Sequence, residues 1–165
     1  GQFADCVVQK PLAGELGQFS SLTQVKAVID PVSIAQLSQR ANTLAQNLGF
    51  DESSLYSLEL VLAESLTNIM RHGYSNQRPA PTELFFVCFD NAIAIVIRDT
   101  GSRIPDRVLQ QLKPDMSYMD DLAVSDLPEG GMGLTFMAMV STCFRYICDG
   151  QANELTLLIS KQPQG

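Results

Sequence analysis

Residues 62–74 read LAESLTNIMRHGY and place a carboxylate, a carboxamide and an imidazole at Glu64, Asn68 and His72, each four residues after the last. At about 100° per residue, a step of four returns to nearly the same side of a helix, so the three polar groups share one stripe. Leu55, Leu58, Leu62, Leu66 and Ile69 form an apolar stripe on the same helix, which Asp51 caps and Gly73 ends. The polar row points away from that stripe together with Ser57 and Val61, which predicts that it lies outside the core. A merely solvated helix face produces the same row, so its meaning depends on what surrounds it in the chain.

Upstream, residues 21–29 alternate as a strand does, and Asp30 followed by Pro31 supplies an N-cap and a first helical residue. Ile34, Leu37, Ala41, Leu44 and Leu48 then recur at helical steps until Gly49 stops the helix. Downstream, SNQRPAP at residues 75–81 has the composition of a loop. ELFFVCF from Glu83 and AIAIVIRD from Ala92 read as strands joined at Asp90 and Asn91. Residues 100–131 mix prolines, methionines and acidic groups, as a lid does. GGMGLTFMAMVS opens a third helix, and FRYICDG with NELTLLIS makes a second hairpin across Asp149 and Gly150. Met132, Phe136, Met137 and Met139 read as core and hinge packing rather than a ligand box.

This order of elements predicts an α+β two-layer sandwich, a mixed and mostly antiparallel sheet with helices on one face. The 165 residues, 45% hydrophobic and 18% charged, suit one domain over residues 21–165, preceded by an arm or extra strand at residues 1–20. A net charge of −7 without Lys or Arg clusters argues against a nucleic-acid binder. The apolar runs are strand-length, far short of the roughly 20 residues that cross a bilayer. Residues 1–10, GQFADCVVQK, lack the pattern of a secretion signal, so a cytoplasmic protein with no membrane contact is expected. Cys6, Cys88, Cys143 and Cys148 form no C-x-x-C pair and a single His is present, which makes zinc a poor expectation.

Two further motifs lie downstream of the polar row. Asp99, Thr100 and Gly101 end an apolar strand in an acid and a glycine. Such an acid can accept from the exocyclic amine of a base, and the glycine allows a flat ring to approach, although a plain turn reads the same way. Gly130, Gly131 and Gly133 open a helix, where free N–H groups favour a phosphate, or simply permit close packing.

Taken in order, AESLTNIMRHGY, RDTGSRIPD and EGGMGLTFM resemble the Asn-containing helix and the two Gly boxes of the anti-sigma-factor serine kinases. These belong to the ATP-binding superfamily of histidine kinases and gyrase-type ATPases, whose fold is the Bergerat type. The resemblance runs over residues 21–160. It implies ATP and Mg²⁺ as ligands, with Asn68 on the metal and Glu64 as the base that accepts a serine proton. It also implies that Asp99 reads adenine with help from Thr156, that Gly101, Gly131 and Gly133 line the nucleotide, and that Arg71 and His72 stand near its phosphates. The implied partners are a STAS-type anti-anti-sigma protein, a sigma factor and a second copy of the chain. Two departures stand out: Arg103 replaces a second glycine of the first box, and Glu129 stands where some relatives carry a phosphate-reaching arginine. A non-catalytic, nucleotide-gated binding module is therefore the alternative to a kinase. A detached histidine-kinase domain fits less well, since no dimerisation helix carries a phosphoacceptor His.

Overall fold

The computed structural model describes residues 6–9, 16–74, 79–104 and 143–161. Six strands form one sheet: β1 (Cys6–Gln9), β2 (Phe19–Val28), β3 (Pro81–Phe89), β4 (Ala92–Asp99), β5 (Cys143–Cys148) and β6 (Asn153–Ser160). Their spatial order is β1-β5-β6-β4-β3-β2. Every neighbouring pair is antiparallel, so the parallel component that a mixed sheet would carry is absent among the described residues. β1 lies within the first 20 residues and pairs with β5, Val7 opposite Arg145.

Both helices start and stop where their local chemistry directs. In α1 (Pro31–Asn47), Asp30 accepts from the Ser33 N–H at 2.8 Å while the Ser33 hydroxyl accepts from the Asp30 N–H at 2.9 Å, a reciprocal cap. The end is a left-handed turn at Gly49, φ +87°, in which Gly49 donates to Gln46 and Phe50 to Ala45. Phe50 folds into the core as it closes that turn. α2 (Glu52–Asn68) is capped by Asp51, whose carboxylate accepts from the Ser54 N–H at 2.8 Å.

The end of α2 departs from the sequence reading. The helix does not run uniformly to Gly73; it changes to a π turn over Ile69–Gly73. Such single turns occur within α-helices and rotate the residues beyond them out of the α-helical phase. His72 follows Asn68 within this wider turn, which begins directly after Asn68.

Strand alternation divides the sheet into two faces. Leu84, Phe86, Ile93, Ile95, Ile97, Leu155 and Leu157 point to the helix side and pack in one core with Leu37, Leu58, Leu62 and Leu66. Expulsion of their apolar surface from water supplies the main driving force for closing the two layers. The expectation that the polar row lies outside the core is corrected at two positions: Val61 is fully buried in that core, and Asn68 is only 4% exposed. The apolar part of α2 is thus wider than one stripe, as befits a helix covered on more than one side. Cys88 and Cys148 are free, buried thiols, packed as small hydrophobes. No helix among the described residues is long and apolar enough to cross a membrane.

Candidate functional site

At one end of the helix-facing side of the sheet the apolar pattern is broken by a transverse row. Thr82 lies opposite Asp99, and Asp99 lies opposite Asn153, so three neighbouring strands each contribute one polar side chain. All three are buried, each 5% exposed. Buried polar groups need partners, and these are found locally. The Thr82 hydroxyl donates to the Ala80 carbonyl at 3.0 Å. Asp99 Oδ1 accepts from the Gly101 N–H at 2.9 Å and from Asn153 Nδ2 at 3.1 Å. Burial raises the Asp99 pKa above its ordinary value, against the lowering effect of Asn153 and Gly101. Both hydrogen bonds fall on Oδ1, which leaves Oδ2 to accept from a ligand.

The turn after β4 is fixed at several points. Thr100 N–H donates to the Tyr74 hydroxyl at 3.1 Å, Ser102 N–H to the Gly73 carbonyl at 2.9 Å, and Ile104 N–H to the Tyr146 hydroxyl at 3.0 Å. Burial holds the Tyr146 phenol far above its usual pKa, so it stays a neutral partner. Asn153 Nδ2 also donates to the Gly101 carbonyl at 2.9 Å. Gly101 itself is pressed against the end of the Asn68 helix: a Cβ there would lie 2.6 Å from the Gly73 carbonyl oxygen. Its missing side chain therefore makes room for the Gly73 backbone.

That contact joins the two motifs. Gly73 ends the π turn carrying Arg71 and His72, which begins directly after Asn68. Glu64 is half-buried one turn before Asn68, His72 is half-buried, and Arg71 is exposed. The Asn68 amide nitrogen is buried without a hydrogen-bond partner. An unpaired buried amide costs on the order of 1–3 kcal/mol, which a ligand that engages the carboxamide would offset. The carboxamide can present either its oxygen or its nitrogen by a flip.

Thr156 is placed apart from the rest. Alternation along β6 turns Asn153, Leu155 and Leu157 toward the helices and Thr156 to the other face, where it lies opposite Val96 and Arg145. It does not share a face with Asp99, because Thr156 lies a step of three beyond Asn153 and an odd step on a strand reverses sides. The strand residue that does accompany Asp99 is Asn153, which the sequence reading missed. Its signal was the period-two count from the apolar run of β6, carried one step beyond Leu155. On the reverse face, Lys26, Glu83, Arg98 and Glu154 form a transverse ladder of alternating charge, with Arg98 3.3 Å from Glu154 and Lys26 4.0 Å from Glu83. A groove of about 510 Å³ lined by Lys26, Val28, Pro81, Glu83, Arg98 and Asp99 opens there.

Arg103, the departure in the first Gly box, lies beside Cys148; it draws the thiol's pKa down while burial, the larger effect, pushes it up. Gly131, Gly133 and Glu129 lie outside the described residues, as does residue 130 with the rest of the second Gly box.

Comparison with known proteins bears on the same segments. Over 115 residues the chain is 24% identical to the serine-protein kinase RsbW of Bacillus subtilis (strain 168), covering 69% of this chain and 70% of that protein. It is 28% identical over 112 residues to the protein of the same name from Oceanobacillus iheyensis, covering 67% of this chain and 68% of the relative. With an anti-sigma F factor of Bacillus licheniformis it shares 27% identity over 130 residues, 69% of this chain and 84% of the relative. Residues 28–159 match the histidine kinase-like ATPase domain, and they contain α1, α2, the polar row and the Asp99 turn. By that match, over most of its length, the chain belongs to the histidine kinase-like ATPase domain family.

Proposed function

We propose that the protein is an ATP-dependent anti-sigma factor and serine/threonine kinase, whose substrate is a STAS-type anti-anti-sigma protein. The observation that carries this reading is the backbone contact between Gly101 and Gly73. It brings a buried carboxylate suited to a base and a helix bearing a buried carboxamide with an unpartnered nitrogen to one place. The relatives named as a serine-protein kinase and as an anti-sigma F factor support the assignment of activity and partners.

The side chains fit ATP with Mg²⁺. Asp99 Oδ2 is an acceptor for the adenine amine, and the Asn68 carboxamide, whose nitrogen has no partner, offers a hard oxygen donor. Mg²⁺ takes one or two protein ligands and fills its remaining positions with phosphate oxygens and water, so Asn68 suffices on the protein's side. Bound MgATP supplies the phosphoryl group to be transferred. Glu64, one turn before Asn68, accepts the proton of the partner's serine hydroxyl. Arg71 and His72 offset charge near the phosphates, and Gly131 and Gly133 supply backbone N–H groups to them. In the same scheme the protein works in the cytoplasm as a homodimer and binds a sigma factor when its STAS partner is phosphorylated.

Calorimetric titration tests the site, and phosphoserine detection tests the chemistry. MgATP is expected to bind the wild type and to lose its metal dependence in Asn68→Ala. A STAS partner is expected to acquire phosphoserine with the wild type and at least about a hundredfold more slowly with Glu64→Ala. Binding without any phosphorylation would instead assign the protein as a nucleotide-gated binding module.

A further inference from the structure

Two hydrogen bonds fasten the end of the second helix to the turn after β4, and they bracket Gly101. The Gly73 carbonyl accepts from the Ser102 N–H at 2.9 Å, and the Tyr74 hydroxyl accepts from the Thr100 N–H at 3.1 Å. The first joins backbone to backbone, whereas the second is supplied by a side chain. The Tyr74 ring is 6% exposed and belongs to the core, so its polar tip has a fixed base. That tip also meets Thr100 Oγ1 at 3.4 Å and the Pro81 carbonyl at 3.5 Å. One hydroxyl thus meets the first residue of β3 and the residue that follows β4, from a side chain at the end of the π turn.

Its place in the chain gives this link a consequence. Tyr74 lies six residues after Asn68, and Thr100 directly follows Asp99. The link therefore runs between the group assigned to the metal and the group assigned to the base. A ligand that engages both ends gains from their fixed separation, because binding at one end presents the other at high effective concentration. Without the hydroxyl, each half keeps its own bonds: Asp99 retains Gly101 and Asn153, and α2 retains its backbone ladder. What is lost is the tie between the halves.

We infer that Tyr74 is a positioning residue whose hydroxyl, on the Thr100 N–H, holds the metal and phosphate half of the site in register with the base half, so that only ligands occupying both halves depend on it. The inference rests on the reading of this site as a nucleotide site.

The test measures ATP, adenosine and inorganic triphosphate, each with Mg²⁺, by displacement of a fluorescent ATP analogue from wild type and Tyr74→Phe. Phenylalanine keeps the buried ring, and thermal melts verify that the variant is folded. Tyr74→Phe is expected to weaken ATP about five- to tenfold, the effect of one hydrogen bond. Adenosine and triphosphate, which each fill one half, are expected to change by no more than about twofold. Equal losses for ATP and adenosine would mean that Tyr74 merely shapes the Asp99 turn, and would overturn the inference. An unchanged ATP affinity overturns it as well. Where either half displaces too little analogue to be measured, ATP decides alone in the Asn68→Ala background, whose metal end is already disengaged. There Tyr74→Phe is expected to cost no more than about twofold, and a full five- to tenfold loss overturns the inference. A folded wild type that binds neither ATP nor the analogue overturns the nucleotide-site reading and this inference with it.

Discussion

Asp99 serves two opposed requirements. The amine proposed as its ligand favours the ionised carboxylate, yet burial favours the neutral acid and raises its pKa. Above the ordinary value of 3.8 the unfolded chain is already ionised, and the folded state gives up its proton only at the raised pKa. Stability contributed by this residue is therefore greatest at low pH and declines as pH rises through that interval, after which the cost stays constant. Asp99→Asn removes the charge and retains an oxygen for the Gly101 and Asn153 donors. Its melting temperature at neutral pH is expected to equal or exceed the wild type's, with the difference closing in acid, while ATP affinity falls about ten- to hundredfold. A pH series of thermal melts beside titrations checks both halves. A variant that is less stable at pH 7 and equally competent for ATP would contradict them.

At the scale of elements, the joint between the π turn and the Asp99 turn is the part most sensitive to a single atom. Gly101→Ala adds a methyl carbon that would overlap the Gly73 carbonyl, backbone against backbone, so one of the two segments must move. We expect a loss of about 1–3 kcal/mol in denaturant unfolding together with weaker nucleotide binding. The reverse exchange, Gly73→Ala, meets only ordinary contacts of 3.6 Å or more and is expected to be much milder. These elements were largely legible in the sequence, because caps and periods are local properties. Asp30 with Pro31, the Gly49 stop, Asp51 and the strand over Ala92–Asp99 all stand where the pattern put them. The joint was less legible. The π turn leaves no mark in a period count, and the burial of Asn68 depends on what packs over α2 rather than on α2 itself. Thr156 and Asn153 show how narrow the margin is: the choice between them rests on strand parity, which the apolar positions of β6 reveal only when counted to its first residue.

For the whole molecule, stability depends on one core shared by both layers. Phe86 sits at its centre with no exposed surface, on the helix side of β3. Phe86→Ala is expected to cost about 3–5 kcal/mol, a large share of what a domain of this size commands, and to shift the denaturant midpoint accordingly. Leu22 lies on the opposite face of the sheet and is 58% exposed; its truncation is expected to change stability by no more than about 0.5 kcal/mol. Paired unfolding curves for the two variants would separate the faces.

The π turn also makes the second helix one residue longer than an α-helical repeat requires. Deleting a single residue there, Met70 for example, would let i-to-i+4 hydrogen bonding run on unbroken. Because the wider turn already absorbs most of the extra residue, everything beyond the deletion would turn by only roughly a few tens of degrees about the helix axis, shifting Gly73 against Gly101 and Tyr74 against the Thr100 N–H. The surplus residue thus works as an azimuth setting. It trades regularity within one helix for the angle at which that helix meets the sheet, and a chain of more uniform helical geometry would present the same side chains at a different angle.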